Sequence, residues 1–437
     1  MDWRAKYADL LMSPEDAVAN VQDGQRVWVG MFTSTPETLS NALLARAGEL
    51  RNIELHAYVA PFVWCTPETA EAFNVVTAFS TPADRQQVNS GAADYLPFGN
   101  FQETVTKEAF GEFDVALVKT SPPDENGWMS YGEGLWLNGT ACEVSRRIVC
   151  EVDKNAIRTF GDNNLHVSKA SVLIEHRSDD DRGSIIPPRT DEVIAQTEVI
   201  GTMVASELIN DGDTLQIGIG DVTAAMAVYL GDKHDLGIQT EIMPGGVMDL
   251  IEAGVVTGKY KQVAPGKAVA SAFAAAPPEE LAKAHLNPKV ELWDFCHSDD
   301  LRVLVQEENF VAINNAMQID LTGQVTAESL NSKIFSGPGG QTVFAIAASY
   351  CEGGRSIIAC PSNSLVGGES RSRIVGGFQP ATMVTVPRTF VDYVVTEQGI
   401  ATLRGKTIRQ RADELISVAH PDFRAELRKE AQYLHAV

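Results

Sequence analysis

Short apolar runs rich in β-branched residues recur through all 437 residues of this chain, most of them closed by Gly, Asp or Asn. They fall at 26–30, 114–118, 147–152, 213–218, 310–313, 356–360 and 393–396, with Val27-Trp28-Val29 and Thr214-Leu215-Gln216-Ile217 as examples. Between them lie helical patterns at 36–46, 192–209, 222–230 and 407–418. A strand covered on both faces needs no polar alternation, so continuous apolar runs alternating with helices specify an α/β protein with mostly parallel sheets.

The stretch Ser178-Asp179-Asp180-Asp181-Arg182-Gly183-Ser184, followed by Pro187-Pro188, combines a charge run with turn formers and marks a domain boundary. Two domains are expected, 1–185 and 186–437. Each opens strand–loop–helix, at 26–29 then 36 in the first and at 214–217 then 222 in the second. Two similarly built domains facing each other predict a site in the cleft between them.

Against 35 basic residues stand 58 acidic ones, a net charge of −23. That balance repels polyanions over the whole surface and argues against nucleic acid or an anionic membrane as partner. No run approaches the roughly 18 apolar residues that span a bilayer, and Met1-Asp2-Trp3-Arg4 does not open a signal peptide. The six cysteines form no CxxC pair, and the eight histidines no HExxH. Reduced thiols in a cytoplasmic protein without a metal are therefore expected.

Four constellations bear on chemistry. Gly218-Ile219-Gly220-Asp221 follows a strand and opens a helix, with Asp221 as N-cap; its amides suit an anion, or the loop is a tight strand-to-helix turn. Ser336-Gly337-Pro338-Gly339-Gly340-Gln341 offers amides without side-chain bulk, as an oxyanion hole requires, or it is a structural turn. Glu241 precedes Pro244-Gly245-Gly246, either as a covalent nucleophile supported by those loops or as a solvated loop charge. Finally, 371–411 carries Arg371, Arg373, Arg388, Arg404, Lys406, Arg409 and Arg411 against Asp392 and Glu397, an anion-binding patch or a salt-bridged face.

Further segments join these: Ser121-Pro122-Pro123-Asp124-Glu125-Asn126-Gly127, Thr240-Glu241 running into Gly246-Val247-Met248-Asp249-Leu250, and Asp320-Leu321-Thr322-Gly323-Gln324. So do Thr396-Glu397-Gln398-Gly399 with Leu403-Arg404-Gly405-Lys406, and His420-Pro421-Asp422-Phe423-Arg424. In this order the chain resembles the acetyl-CoA hydrolase/transferase family of CoA-transferases, in its 4-hydroxybutyrate CoA-transferase-like branch. The resemblance implies two domains of the NagB/RpiA/CoA-transferase-like fold with the active site between them, the first on the acyl side and the second carrying the glutamate and the CoA-binding loops. It implies ping-pong transfer of CoA between an acyl-CoA and a small carboxylic acid such as acetate. Glu241 is the implied nucleophile, forming a glutamyl-CoA thioester. Ile219, Gly220, Gly339 and Gly340 are the implied oxyanion-hole donors; Gly218, Asn314, Gly337, Gly339, Gly340, Arg404 and Lys406 are the implied contacts of coenzyme A, the co-substrate. A homodimer or homotetramer is expected.

The chain departs from the family pattern at Val343, where an Asp is usual, at Met31, where Gly30 is followed by no His, and at Ile242-Met243-Pro244-Gly245. Five of the six tryptophans lie in the first domain. Met31, Phe32, Phe62 and Trp64 are thus expected to build an acyl pocket roomier or more apolar than acetate needs, unless these aromatics are simply core. Two other readings are an acyl-CoA hydrolase on the same scaffold and a non-catalytic sugar-phosphate-binding α/β protein.

Overall fold

The computed structural model describes residues 2–61, 63–97, 110–177, 191–218, 220, 222–274 and 276–434. Two compact units emerge: Met1–Pro187 with Val269–Ser298, and Pro188–Ala268 with Asp299–Val437.

In the first unit, β1 (Arg26–Val29), β2 (Ile53–Ala57), β3 (Phe73–Thr77), β4 (Asp94–Tyr95), β5 (Phe113–Thr120), β6 (Ser145–Val152) and β7 (Val172–Glu175) form one sheet in the order β7-β6-β5-β1-β2-β3-β4. Every pairing in it is parallel. The helices α1 (Glu37–Ala45) and α2 (Asn138–Glu143) belong to this unit. Val269–Ser298 is drawn into it by long-range contacts: the amides of Leu135 and Trp136 both donate to Ser271 O, and Val290–Leu292 pairs in parallel with Phe160–Gly161. All six tryptophans, Trp293 included, therefore fall in the first unit.

The second unit contains α3 (Asp191–Met203), β8 (Thr214–Ile217), β9 (Gly237–Gln239), α4 (Val247–Glu252), β10 (Phe310–Asn314), α5 (Gln341–Tyr350), β11 (Arg355–Ala359), β12 (Tyr393–Thr396), β13 (Gly399–Thr402) and α6 (Ile408–Val418). Its strands run in the order β13-β12-β11-β10-β8-β9, all parallel except the β12–β13 hairpin. Every residue of β8 and β10 is buried, which is why those runs carry no alternation. α6 starts at a capping box, Thr407 and Gln410 each satisfying the other's orphan amide. The expected helix at 222–230 is a 3-10 helix, Thr223–Tyr229, and the helix expected to 209 ends its α-form at Met203 and continues as a π-turn through Leu208. The N-cap expected at Asp221 lies outside the described residues.

All six cysteines are free thiols. Among the described residues no helix is long and apolar enough to cross a membrane, and no group of three His, Cys, Asp or Glu side chains is placed to hold a metal.

Candidate active site

Within the second unit, the loops that leave β8, β9 and β10 gather at the carboxyl-terminal edge of the parallel sheet, the edge at which open α/β sheets place their ligands. Thr240 follows β9 and is fully buried. Its hydroxyl accepts from the amide of Ile217 at 3.2 Å and lies 3.2 Å from the carbonyls of Ile217 and Ile242. That stitch fixes the backbone on both sides of Glu241.

The Glu241 side chain, half-buried, reaches across 99 residues of sequence: its Oε2 accepts from the amide of Gly340 at 2.8 Å. Gly340 is the N-cap of α5, with φ −78° and ψ −5°, which any residue tolerates. What demands glycine is proximity, because a Cβ here would stand 2.5 Å from Glu241 Oε2 and 2.6 Å from the Phe344 ring. Its neighbour Gly339 has φ 52°, in the left-handed region where glycine is favoured. The positive end of α5 thus faces a carboxylate, a favourable pairing for a helix N-terminus. The same loop is braced by Ser336 Oγ on Ala327 O (2.8 Å) and by Gln341 Nε2 on Asn315 O (2.8 Å), with Gly337 buried between.

Gly218 and Gly220 are crowded too. A Cβ on Gly218 would lie 2.5 Å from Asn314 Oδ1, and one on Gly220, where φ is 146°, would fall on Asn315 Nδ2. Asn314 is buried and exchanges two hydrogen bonds with Gln216, at 2.9 and 3.2 Å. The amide expected from Ile219 lies outside the described residues. So the structure brings Glu241, Gly340 and Gly339 together at one point, with Gly218, Gly220 and Asn314 on the neighbouring strand ends. Asn315 was not singled out from sequence, and Thr240 and Gln341 entered only as members of the motifs around Glu241 and Gly340, with no role of their own.

The N-terminal domain model of the acetyl-CoA hydrolase/transferase family matches residues 1–205, and the C-terminal domain model of the same family matches 279–431. The chain belongs to this family. It is 36% identical over 433 residues to the 4-hydroxybutyrate coenzyme A transferase of Clostridium kluyveri, covering 98% of this chain and 99% of that one. It is 33% identical over 440 residues to the succinyl-CoA:cyclohexane-1-carboxylate CoA transferase of Geobacter metallireducens, covering 100% and 98%. The crystal structure of RipA from Yersinia pestis superposes with a TM-score of 0.89 at 30% identity, over the whole of both chains.

In this CoA-transferase-family chain the basic stretch is largely tied into the fold. Arg404 grips buried Asp392 with two 2.8 Å hydrogen bonds and donates to Gly354 O at 3.2 Å. Lys406 pairs with Glu414, and Arg371 with Glu369 at 2.6 Å. Arg373 and Arg411 donate to backbone carbonyls, of Ala316 (2.7 Å) and Arg388 (2.8 Å) among others. Asp392 also accepts from the amide of Ser356, at the start of β11, so Arg404 sits at the N-terminal strand edge, away from Glu241. Arg388 and Arg409 are exposed and form no ion pair among the described residues. Val343, at the position where the family pattern has Asp, is a buried core residue beside Phe344.

In the first unit, Met31 is buried and Phe32, half-buried, meets Trp136 edge-on at 6.1 Å. Trp64 is buried and packs edge-on against Phe73 at 5.9 Å. Phe62 lies outside the described residues. Phe32, Val59 and Trp136 all carry positive φ, at 44°, 51° and 49°. Such conformations are costly for non-glycine residues and cluster at functional sites.

Proposed function

We propose that this chain is an acyl-CoA:carboxylate CoA-transferase that carries CoA as a thioester on Glu241. The relatives named for CoA transfer support the reaction class. The observation that carries the mechanism is the 2.8 Å hydrogen bond from the Gly340 amide to Glu241 Oε2.

A Glu241 carboxylate oxygen attacks the thioester carbonyl carbon of the acyl-CoA; the C–S bond breaks and CoA leaves as its thiolate, giving an acyl–glutamyl anhydride. The thiolate then attacks Cδ of Glu241, the first carboxylate departs, and the glutamyl-CoA thioester remains. An incoming carboxylate attacks the same Cδ and expels the thiolate, which attacks the new acyl carbonyl and restores the Glu241 carboxylate. No external proton donor is required, because every leaving group is an anion that is stable near neutral pH.

In both attacks at Cδ the negative charge develops on an oxygen of Glu241 itself. The Gly340 amide already stands at 2.8 Å from one of these oxygens, inside the 2.7–3.1 Å window typical of an oxyanion donor. The donor is therefore preorganised, and the N-terminal dipole of α5 adds to it. Coenzyme A enters as co-substrate with a small to medium acyl group, and the acceptor is a free carboxylic acid such as acetate. The Gly337–Gly340 loop, Gly218 and Asn314 are the second unit's candidates for contacting it.

The test is mass spectrometry after incubation with an acyl-CoA and borohydride. A trapped glutamyl-CoA thioester is reduced to the alcohol, replacing one oxygen of the Glu241 side chain by two hydrogens. An unaltered Glu241 peptide during turnover refutes the mechanism. Turnover without any acceptor acid identifies a hydrolase instead.

A further inference from the structure

A cavity of about 470 Å³ opens at the amino-terminal edge of the first unit's sheet. Gln25 precedes β1, Asp114 and Val115 lie near the start of β5, Arg146 and Arg147 near the start of β6, and Val172 opens β7. These four strands are neighbours in one parallel sheet, so the cavity belongs to the first unit alone. Its volume is in the range of small-molecule sites, and it lies at the edge opposite to the one where open α/β sheets place their main ligand.

The charges around it do not balance. Asp114 is fully engaged: Oδ2 accepts from the amide of Arg26 at 2.9 Å and Oδ1 from Arg146 at 3.3 Å. Arg146 pairs with Glu112 as well, at 3.1 Å. Arg147 differs. Its Nη2 donates to Ala17 O at 3.2 Å, but Nη1 is buried without a hydrogen-bond partner, and no carboxylate pairs with this guanidinium among the described residues. Burial holds its pKa below the usual guanidinium value, with no opposite charge to resist the shift. Taking a cation out of water without a counter-charge is costly, and buried donors left unpaired are rare in native structures.

The neutral groups lining the cavity bring donors. Gln25 Oε1 accepts from the amide of Gln22 at 3.0 Å and Ser171 Oγ from the amide of Ile148 at 3.4 Å, which leaves an NH₂ and an O–H to donate. Exposed Asn20 adds a further amide, while buried Val115 and Val172 give an apolar wall. A guanidinium with unused N–H groups suits a planar or tetrahedral oxyanion, which it grips with charge-assisted hydrogen bonds. The apolar wall suits a short hydrocarbon body behind that head. A neutral molecule of the same shape leaves the charge of Arg147 unmatched.

We propose that this cavity is a second binding site, in which Arg147 holds a small organic oxyanion, a carboxylate or a phosphate monoester with a short apolar chain. The proposal is independent of the transferase reading, since no lining residue belongs to the unit that carries Glu241.

The test is calorimetric titration of the full chain with butyrate and with butyl phosphate, butan-1-ol serving as the uncharged control, and hydrogen exchange to locate the binding. Arg147→Gln removes the cation. Asn20→Asp, at an exposed position, puts a negative charge beside the cavity while leaving Arg147 and its neighbours in place. One of the two anions is expected to bind at least about tenfold more tightly than the alcohol, to lose about tenfold or more in each variant, and to slow exchange around 20–25, 146–148 and 171–173. Whichever anion binds names the head group. Failure of both anions to bind, affinity unchanged in both variants, or slowed exchange confined to other segments overturns the proposal. The transferase reading stands in either case, because its own test is the trapped Glu241 thioester.

Discussion

Asp294 takes both polar groups of Thr140 with one carboxylate: the amide at 2.9 Å and the hydroxyl at 2.8 Å. The residues are 154 apart in sequence, and their contact fastens Val269–Ser298 to the helix α2 of the first unit. Fully buried, Asp294 also accepts from the amide of Cys296 at 3.1 Å. Burial raises its pKa to about 6, and the hydrogen bonds from Thr140 and Cys296 only partly oppose that rise.

A folded-state pKa of about 6 against an unfolded value of 3.8 means that the native state holds the proton more tightly. Its stabilising contribution is complete below pH about 4 and is lost as pH rises to about 6, at most about 3 kcal/mol in all. Asp294→Asn cannot ionise. Between pH 4 and 7 the melting temperature of the parent should therefore fall relative to that of the variant; parallel curves would refute the assignment.

Gly340→Ala suits the backbone at φ −78° and ψ −5°, but its Cβ would meet Glu241 Oε2 at 2.5 Å and the buried Phe344 ring at 2.6 Å, so it should displace the carboxylate from its amide donor and cost some stability. Losing one oxyanion-hole donor typically costs about 10²–10³ in kcat. A lowered but still cooperative circular-dichroism melt, with kcat of the folded protein down at least about 100-fold, is expected on that scale. Activity within a factor of about three would separate Gly340 from the chemistry.

Arg404→Gln should cost stability, because Asp392 is buried and loses two of its donors. Removing one partner of a buried pair costs about 3–5 kcal/mol, and the half-exposed Arg404 brings the expectation to about 1–3 kcal/mol. The double variant with Asp392→Asn should recover part of that loss in denaturant melts. A sharp rise in the KM for acyl-CoA with unchanged stability would instead make Arg404 a CoA contact.

The thiols differ in reach. Burial pushes Cys142 and Cys351 up to about 12 and Cys360 up to about 11, so their thiolates are scarce at neutral pH. Cys296 alone is half-exposed. Alkylation of the native protein followed by peptide mapping should label Cys296 first and Cys142, Cys351 and Cys360 only after unfolding.

The seven strands read from apolar runs at 26–30 through 393–396 are all present, because continuous burial writes itself directly into local composition. The capping box at Thr407 is equally local. Glu241 and its glycine loops were legible as motifs, but nothing local says that the Gly340 amide reaches Glu241. The 3-10 form of Thr223–Tyr229 was not legible either, since an apolar run fits a tight helix as well as an α-helix.

The sequence by itself determined the family, the α/β layering and the residues available for chemistry. Only the tertiary structure decided that Val269–Ser298 packs with the first unit, and that Arg404 and Lys406 answer to Asp392 and Glu414. It also decided that the Gly340 amide meets Glu241 Oε2. Hydrophobic periodicity is a property of neighbours in sequence, whereas ion pairs and converging polar groups depend on which distant segments the folded chain brings into contact.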